Sequence, residues 1–414
     1  MSILDRYYSP EVLNEGYTFS PSGTYLPPSD GALEHYNEYL RQLPMAEAPE
    51  VFGMHENANL SFQLQETRKV LDTVLGLQPR VTTAGGGKSS DEIVAELAAS
   101  MEARLPPEDL SRENACGGSK DPFAPLPSGH PNSLSTFLLQ ESDRLNRLLR
   151  SLRSTLKDLQ RAIQGLVVMS SDLEAMYTRL LNNQVPEVWQ RVAYPSLKPL
   201  ASWLNDFLRR FEFMDSWIRH GEPASFWLPG LFFPQGFLTA ALQNYARKTQ
   251  IAIDRLQFGF EVMNLQDPEA EEHVHHLQQP KDGVYVHGLY LEGARWDTDK
   301  KWVTEARPGE MYISLPMIWF KPVVDYVHPE ECYACPLYKT SVRAGTLSTT
   351  GQSTNFVLHM SLPIDPATTP SHWVLCGTAA LCESIAQFAP RLLRGMGPRP
   401  DSSSHLSPAG MTNN

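Results

Sequence analysis

The sequence lacks an excess of positive charge. Its 414 residues include 35 lysines and arginines against 47 aspartates and glutamates, which gives a formal net charge of −12. A protein that binds nucleic acid on its own needs a basic surface that neutralises phosphates, so this balance argues against that class. We therefore predict no nucleic-acid partner.

Cysteine is scarce as well. Five cysteines are too few and too irregularly spaced for a secreted disulfide scaffold, and an odd number suits a reducing compartment. The first residues, MSILDRYYSPEV, carry charges and tyrosines where a signal peptide has a basic stretch followed by an apolar one. The sequence therefore predicts a reducing environment and no signal peptide.

A long uninterrupted apolar run is missing too. The segment from Pro223 to Ala246 contains no charged residue and is long enough to cross a bilayer. Prolines and amides interrupt it at Pro229, Pro234, Gln235, Gln243 and Asn244. Because these groups are unfavourable in lipid, we predict a buried segment of a globular fold and no membrane partner.

No complete catalytic or cofactor motif is present. The sequence contains neither a G-x-S-x-G elbow nor H-E-x-x-H. GGGKSS at residues 85–90 is similar to the end of a phosphate-binding loop, but that motif needs a glycine where Thr82 stands, and a strand before it. We interpret the segment as a flexible hinge leading into a helix that is capped by Ser90 or Asp91. We predict no catalytic and no cofactor-binding residues.

Cys332 and Cys335 have the spacing of a zinc knuckle. A closed zinc site needs four ligands, and no second knuckle occurs. The remaining candidate ligands are scattered along the last third of the sequence: His359, His372, Cys376 and Cys382. Three further histidines lie close together in an acidic stretch, which we interpret as a solvated loop: His273, His275 and His276. Ordinary reduced cysteines are favoured, so we predict no metal site.

Apolar residues recur every three or four positions through much of the first 250 residues. The longest such stretch, 134–182, predicts one amphipathic helix, or two joined near Gly165, with an apolar side that runs from Leu138 to Val167. Shorter patterns predict helices in 29–44, 60–77, 91–105, 198–219 and 235–248. Ser29 or Asp30 is placed to cap the first of these helices.

After about residue 256 the apolar period changes from helical spacing to two. TNFVLHMSL alternates cleanly between apolar and polar sides, and Gly288 within GVYVHGLYLEG predicts a bulge. Several short strands separated by Gly, Pro and Asp turns predict a small antiparallel β-barrel or sandwich. The predicted fold class is therefore α+β, with a helical bundle followed by this β-rich part.

A row of basic residues follows the long predicted helix: Arg144, Arg147, Arg150, Arg153, Lys157 and Arg161. Such a face is commonly solvated, and it is equally suited to docking on an acidic neighbouring surface. The sequence leaves both interpretations open.

Eight segments, spread over the sequence to about residue 384, carry a resemblance to one protein family. They are PEVFGMHENANL (49–60), GGGKSSDEIVAELA (85–98), AIQGLVVMSSDLE (162–174), YPSLKPLASWLNDFL (194–208), FWLPGLFFPQGFLTAALQNYAR (226–247), DGVYVHGLYLEGARWD (282–297), CPLYKTSVRAGTLSTTGQSTNFV (335–357) and HWVLCGTAALC (372–382). Together they resemble, in family order, the C-terminal part of dynein heavy chains, most closely the axonemal type. This collinear set is far more specific than any single motif in the sequence.

The resemblance implies a division of the polypeptide into five parts. These are a helical lid of the sixth AAA+ module of a motor ring (1–78), a flexible linker with one short helix that starts the C-terminal domain (79–133), the helical part of that domain (134–262), its β-barrel part (263–391), and a tail without resemblance that we predict to be disordered (392–414).

The resemblance also implies a function. The protein would be a non-catalytic structural and regulatory region that packs on the AAA+ motor ring in microtubule-based ciliary movement, in the cytoplasm, cytoskeleton and axoneme. Implied partners are the ring and the intermediate, light intermediate and light chains of dynein, with microtubules reached only through the parent motor. The alternative is a stand-alone protein-interaction module from a truncated isoform that binds dynein subunits.

Overall fold

A computed structural model describes residues 7–20, 22–45, 47–52, 54, 56–77, 89–263, 277–307, 309–343, 345–347, 351 and 353–383. Three segments discussed above lie outside these residues: GGGK at 85–88, the histidine cluster at 273–276 and the tail at 392–414. Our predictions for them therefore stay predictions.

The N-terminal region contains two α-helices, α1 (Leu33–Gln42) and α2 (Glu56–Leu77). Helix α1 begins after Ala32, whose side chain makes no capping hydrogen bond. The prediction of a cap at Ser29 or Asp30 is therefore wrong. The Ser29 Oγ lies 3.0 Å from the Nε2 of His35, so this hydroxyl contacts a side chain of the first turn.

The helical bundle follows. Its members are α3 (Ser90–Arg104), α4 (Ser133–Ile163), α5 (Ser171–Leu181), α6 (Glu187–Gln190), α7 (Leu200–His220) and α8 (Pro234–Thr249). The stretch 134–182 thus forms two helices, α4 and α5, and the backbone leaves α4 through Gly165 at φ +74°, a left-handed conformation that favours glycine. The leucines that predicted α4 are fully buried along its inner face: Leu138, Leu145, Leu149, Leu152, Leu156 and Leu159.

Helix α3 begins with a reciprocal cap. The Ser89 Oγ accepts a hydrogen bond from the backbone N–H of Glu92 at 3.1 Å, and the Glu92 carboxylate accepts one from the N–H of Ser89 at 2.9 Å. The predicted cap, Ser90 or Asp91, was wrong by one or two positions. The capping box requires a serine three residues before the glutamate, and that serine is Ser89.

The β-rich part consists of eleven described strands. They are β1 (Phe226–Trp227), β2 (Leu256–Val262), β3 (Val284–His287), β4 (Tyr290–Glu292), β5 (Arg295–Asp297), β6 (Trp302–Thr304), β7 (Tyr312–Ser314), β8 (Ile318–Val324), β9 (Cys332–Tyr338), β10 (Phe356–Pro363) and β11 (Ala379–Leu381). A short helix, α9 (Pro370–Leu375), precedes β11.

The strands form open sheets. One sheet has the order β1-β3-β8-β2, a second has β10-β9-β11-β4-β7, and β5 pairs with β6. The α+β class is confirmed, but the described strands do not close into a barrel. Two pairings, β1 with β3 and β11 with β9, are parallel, because β1 and β11 reach the sheets through long connections and not through hairpins. Strands β2 and β10, at the edges of the two larger sheets, pack beside each other.

Gly288 separates β3 and β4, which belong to different sheets. Its φ is +86°, and a Cβ at this position would stand 2.6 Å from Cδ1 of Trp227. The predicted bulge within one strand is therefore wrong: the backbone passes from one sheet to the other at Gly288, and only glycine fits both the backbone conformation and the close approach of the indole.

One continuous apolar core joins the helical and β-rich parts. The uncharged segment 223–246 forms β1, a short 3₁₀ turn and most of α8, and Phe226, Leu228 and Phe237 within it are buried. This confirms the prediction of a buried segment. None of the helices in the described residues combines the length and apolar character that a membrane-spanning helix requires.

Candidate functional site

An exposed apolar loop, residues 166–169, connects α4 to α5. Leu166 and Val168 are 68% and 86% exposed, and Val167 and Met169 are more than a third exposed. Val167, predicted to lie on the apolar side of a helix, is in this loop. Four consecutive apolar side chains facing solvent are unusual, and such surface marks a site of protein contact.

Both ends of the apolar loop are fixed by hydrogen bonds. The backbone N–H of Leu166 donates to the carbonyl of Arg161 at 2.9 Å, which closes the end of α4. The Ser170 Oγ accepts from the N–H of Leu173 at 3.3 Å, which caps α5. The loop is therefore presented in a defined position.

The N-terminal helices expose further apolar side chains. They are Leu33 and Leu40 on α1, and Leu64, Val70 and Leu71 on α2. All five lie within 29–44 and 60–77, the ranges in which apolar spacing predicted these helices. Helical periodicity predicts a buried face, and here that face points outward, so its burial requires protein beyond the described residues.

The basic face of α4 pairs largely with acids of the same polypeptide. The Arg150 Nε and the Arg153 Nη1 lie 2.7 and 3.0 Å from the Asp109 carboxylate oxygens. Arg144 pairs with Glu141 at 2.6 Å, and Lys157 lies 3.9 Å from Glu102. The remaining two members, Arg147 and Arg161, are exposed. Three of the six basic residues, Arg150, Arg153 and Lys157, therefore hold α4 against α3 and the segment that follows α3, whereas Arg144 pairs within α4.

A buried ion cluster joins Asp206 and Arg210, in the first half of α7, to Lys198, which precedes the helix. The Arg210 Nε stands 2.7 Å from the Asp206 carboxylate, and the Lys198 ammonium also donates to Asp206. Burial by itself would raise the pKa of Asp206, but the two adjacent cations outweigh it and lower that pKa to about 2. The guanidinium carbon of Arg210 lies 3.5 Å from the ring centre of Tyr194.

Glu383 connects this cluster to the β-rich part. Its two carboxylate oxygens accept hydrogen bonds from the Ser196 hydroxyl at 2.6 Å and from the Leu197 N–H at 2.9 Å. Burial raises its pKa above the ordinary value of a glutamate. Glu383 follows β11, so the contact holds the end of the second sheet against the start of α7.

Cys332 and Cys335, the cysteines of the candidate knuckle, belong to no group of three candidate metal ligands among the described residues. Cys332 is half-buried and Cys335 is buried in strand β9. Burial raises the pKa of the Cys335 thiol to about 12, and it does the same for Cys382. These thiols are therefore protonated at neutral pH and poorly suited to nucleophilic chemistry.

Two other candidate ligands do come together. The Sγ of Cys376 lies 3.5 Å from the Nε2 of His372 at the end of α9, and the Glu305 carboxylate is within hydrogen-bond distance of the same ring nitrogen. The sequence signal was the spacing of four residues between His372 and Cys376. Glu305 was missed, because only the tertiary fold brings it to this helix.

Two protein-family profiles match the sequence. The profile described as the C-terminal domain of the dynein heavy chain matches residues 64–382, and that of the AAA lid domain of the dynein heavy chain matches residues 1–58. The protein belongs to the dynein heavy chain family. The resemblance that the eight collinear segments carry is thereby confirmed.

Individual relatives agree with this assignment. The sequence is 46% identical over 396 residues to dynein axonemal heavy chain 6 of Homo sapiens, covering 92% of its own length and 9% of that protein. It is 43% identical to dynein axonemal heavy chain 1 of Rattus norvegicus, with 92% and 8% covered, and 43% identical to dynein axonemal heavy chain 12 of Mus musculus, with 92% and 12% covered. This dynein heavy chain segment thus spans about a tenth of the length of these relatives.

Proposed function

We propose that the protein acts as a non-catalytic, C-terminal region of a dynein heavy chain, by packing against the AAA+ motor ring. The observation that carries this proposal is the exposed apolar loop, residues 166–169, held in place between two capped helices. Burial of one valine or leucine side chain stabilises a contact by about 1.5–3 kcal/mol. Leu166 and Val168, together with the exposed parts of Val167 and Met169, provide enough apolar surface for a specific contact with the ring.

The motor ring is the occupant that best fits this loop. The matched relatives are roughly ten times longer than this protein, so most of a heavy chain lies outside it. In a heavy chain that contains both the motor ring and the apolar loop, the ring surface meets the loop at a high effective concentration. The exposed apolar faces of α1 and α2 suit a second contact, which is consistent with residues 1–78 completing an AAA+ module.

The names of the relatives suggest the cellular setting. Each is an axonemal heavy chain, and we propose the cilium and its axoneme as the site of action. We further propose the intermediate, light intermediate and light chains as partners within the same motor, with microtubules bound only through other parts of it.

Changing Val168 to aspartate tests the proposed contact between the apolar loop and the motor ring. We expect the Kd of the purified protein for a recombinant axonemal motor ring, made without its own C-terminal region, to rise at least about tenfold, because the contact would lose a valine and bury a charge. Binding can be measured by interferometry, and circular dichroism should show an unchanged fold, because Val168 is 86% exposed.

Val327→Asp is the matched control. Val327 is 81% exposed between β8 and β9, far along the sequence from the apolar loop, so this variant should bind the ring like the unmodified protein. Equal weakening by both variants, or by neither, would contradict the assigned surface. Binding of the protein to a dynein intermediate chain, without binding to the ring, would favour the stand-alone interaction module.

The non-catalytic part of the proposal predicts no ATP turnover by the purified protein. The only glycine-lysine segment that is similar to a phosphate-binding loop has threonine at position 82 where the first glycine should be. Phosphate release should equal the buffer background at millimolar ATP. Turnover that disappears in Lys88→Ala would refute the proposal, while turnover retained in that variant would point to a contaminating enzyme.

A further inference from the structure

A cluster of three potential metal ligands lies outside the proposed dock. It consists of Glu305, His372 and Cys376, and one ligand atom from each lies within 4.8 Å of the other two. No other such group of histidine, cysteine and acidic side chains occurs among the described residues. The cluster combines a thiol, an imidazole and a carboxylate, which is a donor set typical of zinc.

The secondary structure fixes two of these residues. His372 lies in α9 and Cys376 is the C-cap of that helix, four residues later, with the Cys376 N–H donating to the His372 carbonyl at 2.9 Å. Residues with this spacing share one face of a helix. The neighbouring Trp373 is buried and anchors α9 in the core, so the two ligand atoms are held on a rigid element.

Glu305 reaches the helix through the pairing of two segments of the backbone. Val303 in β6 forms a parallel bridge with Ile364, which lies six residues before the start of α9. The residues after Val303 therefore run beside α9, and the Glu305 carboxylate contacts the Nε2 of His372. Both side chains are about half exposed, so an ion from solvent can reach them.

The distances match a tetrahedral metal. With Zn–S of about 2.3 Å and Zn–N of about 2.0 Å, a tetrahedral angle separates sulfur and nitrogen by about 3.5 Å. The Cys376 Sγ and the His372 Nε2 stand 3.5 Å apart. The exposed Glu305 carboxylate, hydrogen-bonded to the same nitrogen, would need to move outward to make room for the ion between the two ligands.

We propose that Glu305, His372 and Cys376 bind one zinc ion, with water as the fourth ligand. Binding releases the thiol proton to solvent and places the imidazole proton on Nδ1, so that Nε2 is free to coordinate. The ion replaces the present hydrogen bond between Glu305 and His372. It would fasten the segment after β6 to α9, next to the end of the second sheet.

The test is a titration of the full-length protein, purified in metal-free buffer, with Zn²⁺ in competition with a chromogenic chelator. We expect one equivalent to bind, and the Kd to rise at least about tenfold in His372→Ala and in Cys376→Ser. Co²⁺ in place of Zn²⁺ should give a thiolate charge-transfer absorption band that disappears in Cys376→Ser. Glu305→Gln, at an exposed position, should weaken binding without affecting the fold.

Cys332→Ser and His359→Ala serve as matched controls, because they remove the same ligand types from β9 and β10. Both should bind zinc like the unmodified protein. Absence of stoichiometric binding would overturn the proposal. So would binding that persists in both His372→Ala and Glu305→Gln, or binding that either control abolishes.

Discussion

Replacing Asp206 by asparagine is expected to lower the free energy of unfolding by about 3–5 kcal/mol at neutral pH, because removal of one partner from a buried ion pair leaves the others uncompensated. Asp206 is buried and is the anion shared by Arg210 and Lys198. In the variant, both cations stay in the core, and the acids left to balance them, Glu383 and Glu141, have no hydrogen bond to either cation. Urea denaturation followed by circular dichroism measures the loss.

Asp215→Asn is the matched control for this prediction. Asp215 lies on the same helix and pairs with Arg219 at the same spacing and distance, 2.7 Å, but at the protein surface. Exposed pairs of this kind contribute about 0.3–0.5 kcal/mol. A similar loss of stability in the two variants would show that the buried cluster contributes no more to the free energy of unfolding than an exposed ion pair does.

The same cluster predicts how stability depends on pH. The folded pKa of Asp206, about 2, lies below the unfolded value of 3.8, so its contribution is complete above the unfolded value and is lost as the pH falls from about 4 to about 2. The shift corresponds to roughly 2 kcal/mol. Glu383 has a raised pKa and acts in the opposite direction, so the informative measurement is the difference between the unmodified protein and Asp206→Asn, which should shrink over this range.

Trp203→Ala is expected to destabilise the protein by about 3–5 kcal/mol, because it removes a large side chain from the centre of the core. The Trp203 ring is fully buried and stacks on Trp189, with ring centres 5.8 Å apart and planes within 11°. Tyr194 and Phe207 stack on the same indole at 6.1 and 6.2 Å. The near-ultraviolet circular dichroism of the stacked tryptophans should weaken as well.

Trp203→Phe separates the effects of stacking and volume. This variant keeps an aromatic ring between Trp189 and Phe207, so we expect it to lose less than half of what the alanine variant loses. An alanine variant that loses less than about 1 kcal/mol would show that the stack is not central to folding.

Periodicity predicted the main elements of the fold. The leucines of α4 recur at helical spacing because that whole face is buried. The alternation around β10 predicted a strand correctly, although Ser361 on its polar side is buried beside Met360 and Leu362. Gly165 marked the break between α4 and α5 correctly. The caps of α1 and α3 were wrong, because several serines and aspartates stand close together and only the hydrogen-bond geometry selects one of them.

The contacts that characterise the candidate sites could not be predicted from local patterns. Glu383 meets Ser196 across 187 residues, and Glu305 meets His372 across 67. The apolar loop was assigned to a helix because Val167 continues the spacing of α4. Its exposure depends on where α4 ends, which the sequence pattern alone leaves ambiguous.

The open edges of the two larger sheets have a consequence for solubility. Strands β2 and β10 have seven and eight residues and cover each other, which leaves β1 and β7, of two and three residues, at the opposite edges. Edge strands recruit other polypeptides through runs of unpaired backbone groups, and runs this short offer few. We therefore expect these sheets to resist fibrillar self-association. When the protein is concentrated, aggregation should start at the apolar loop and at the exposed apolar side chains of α1 and α2.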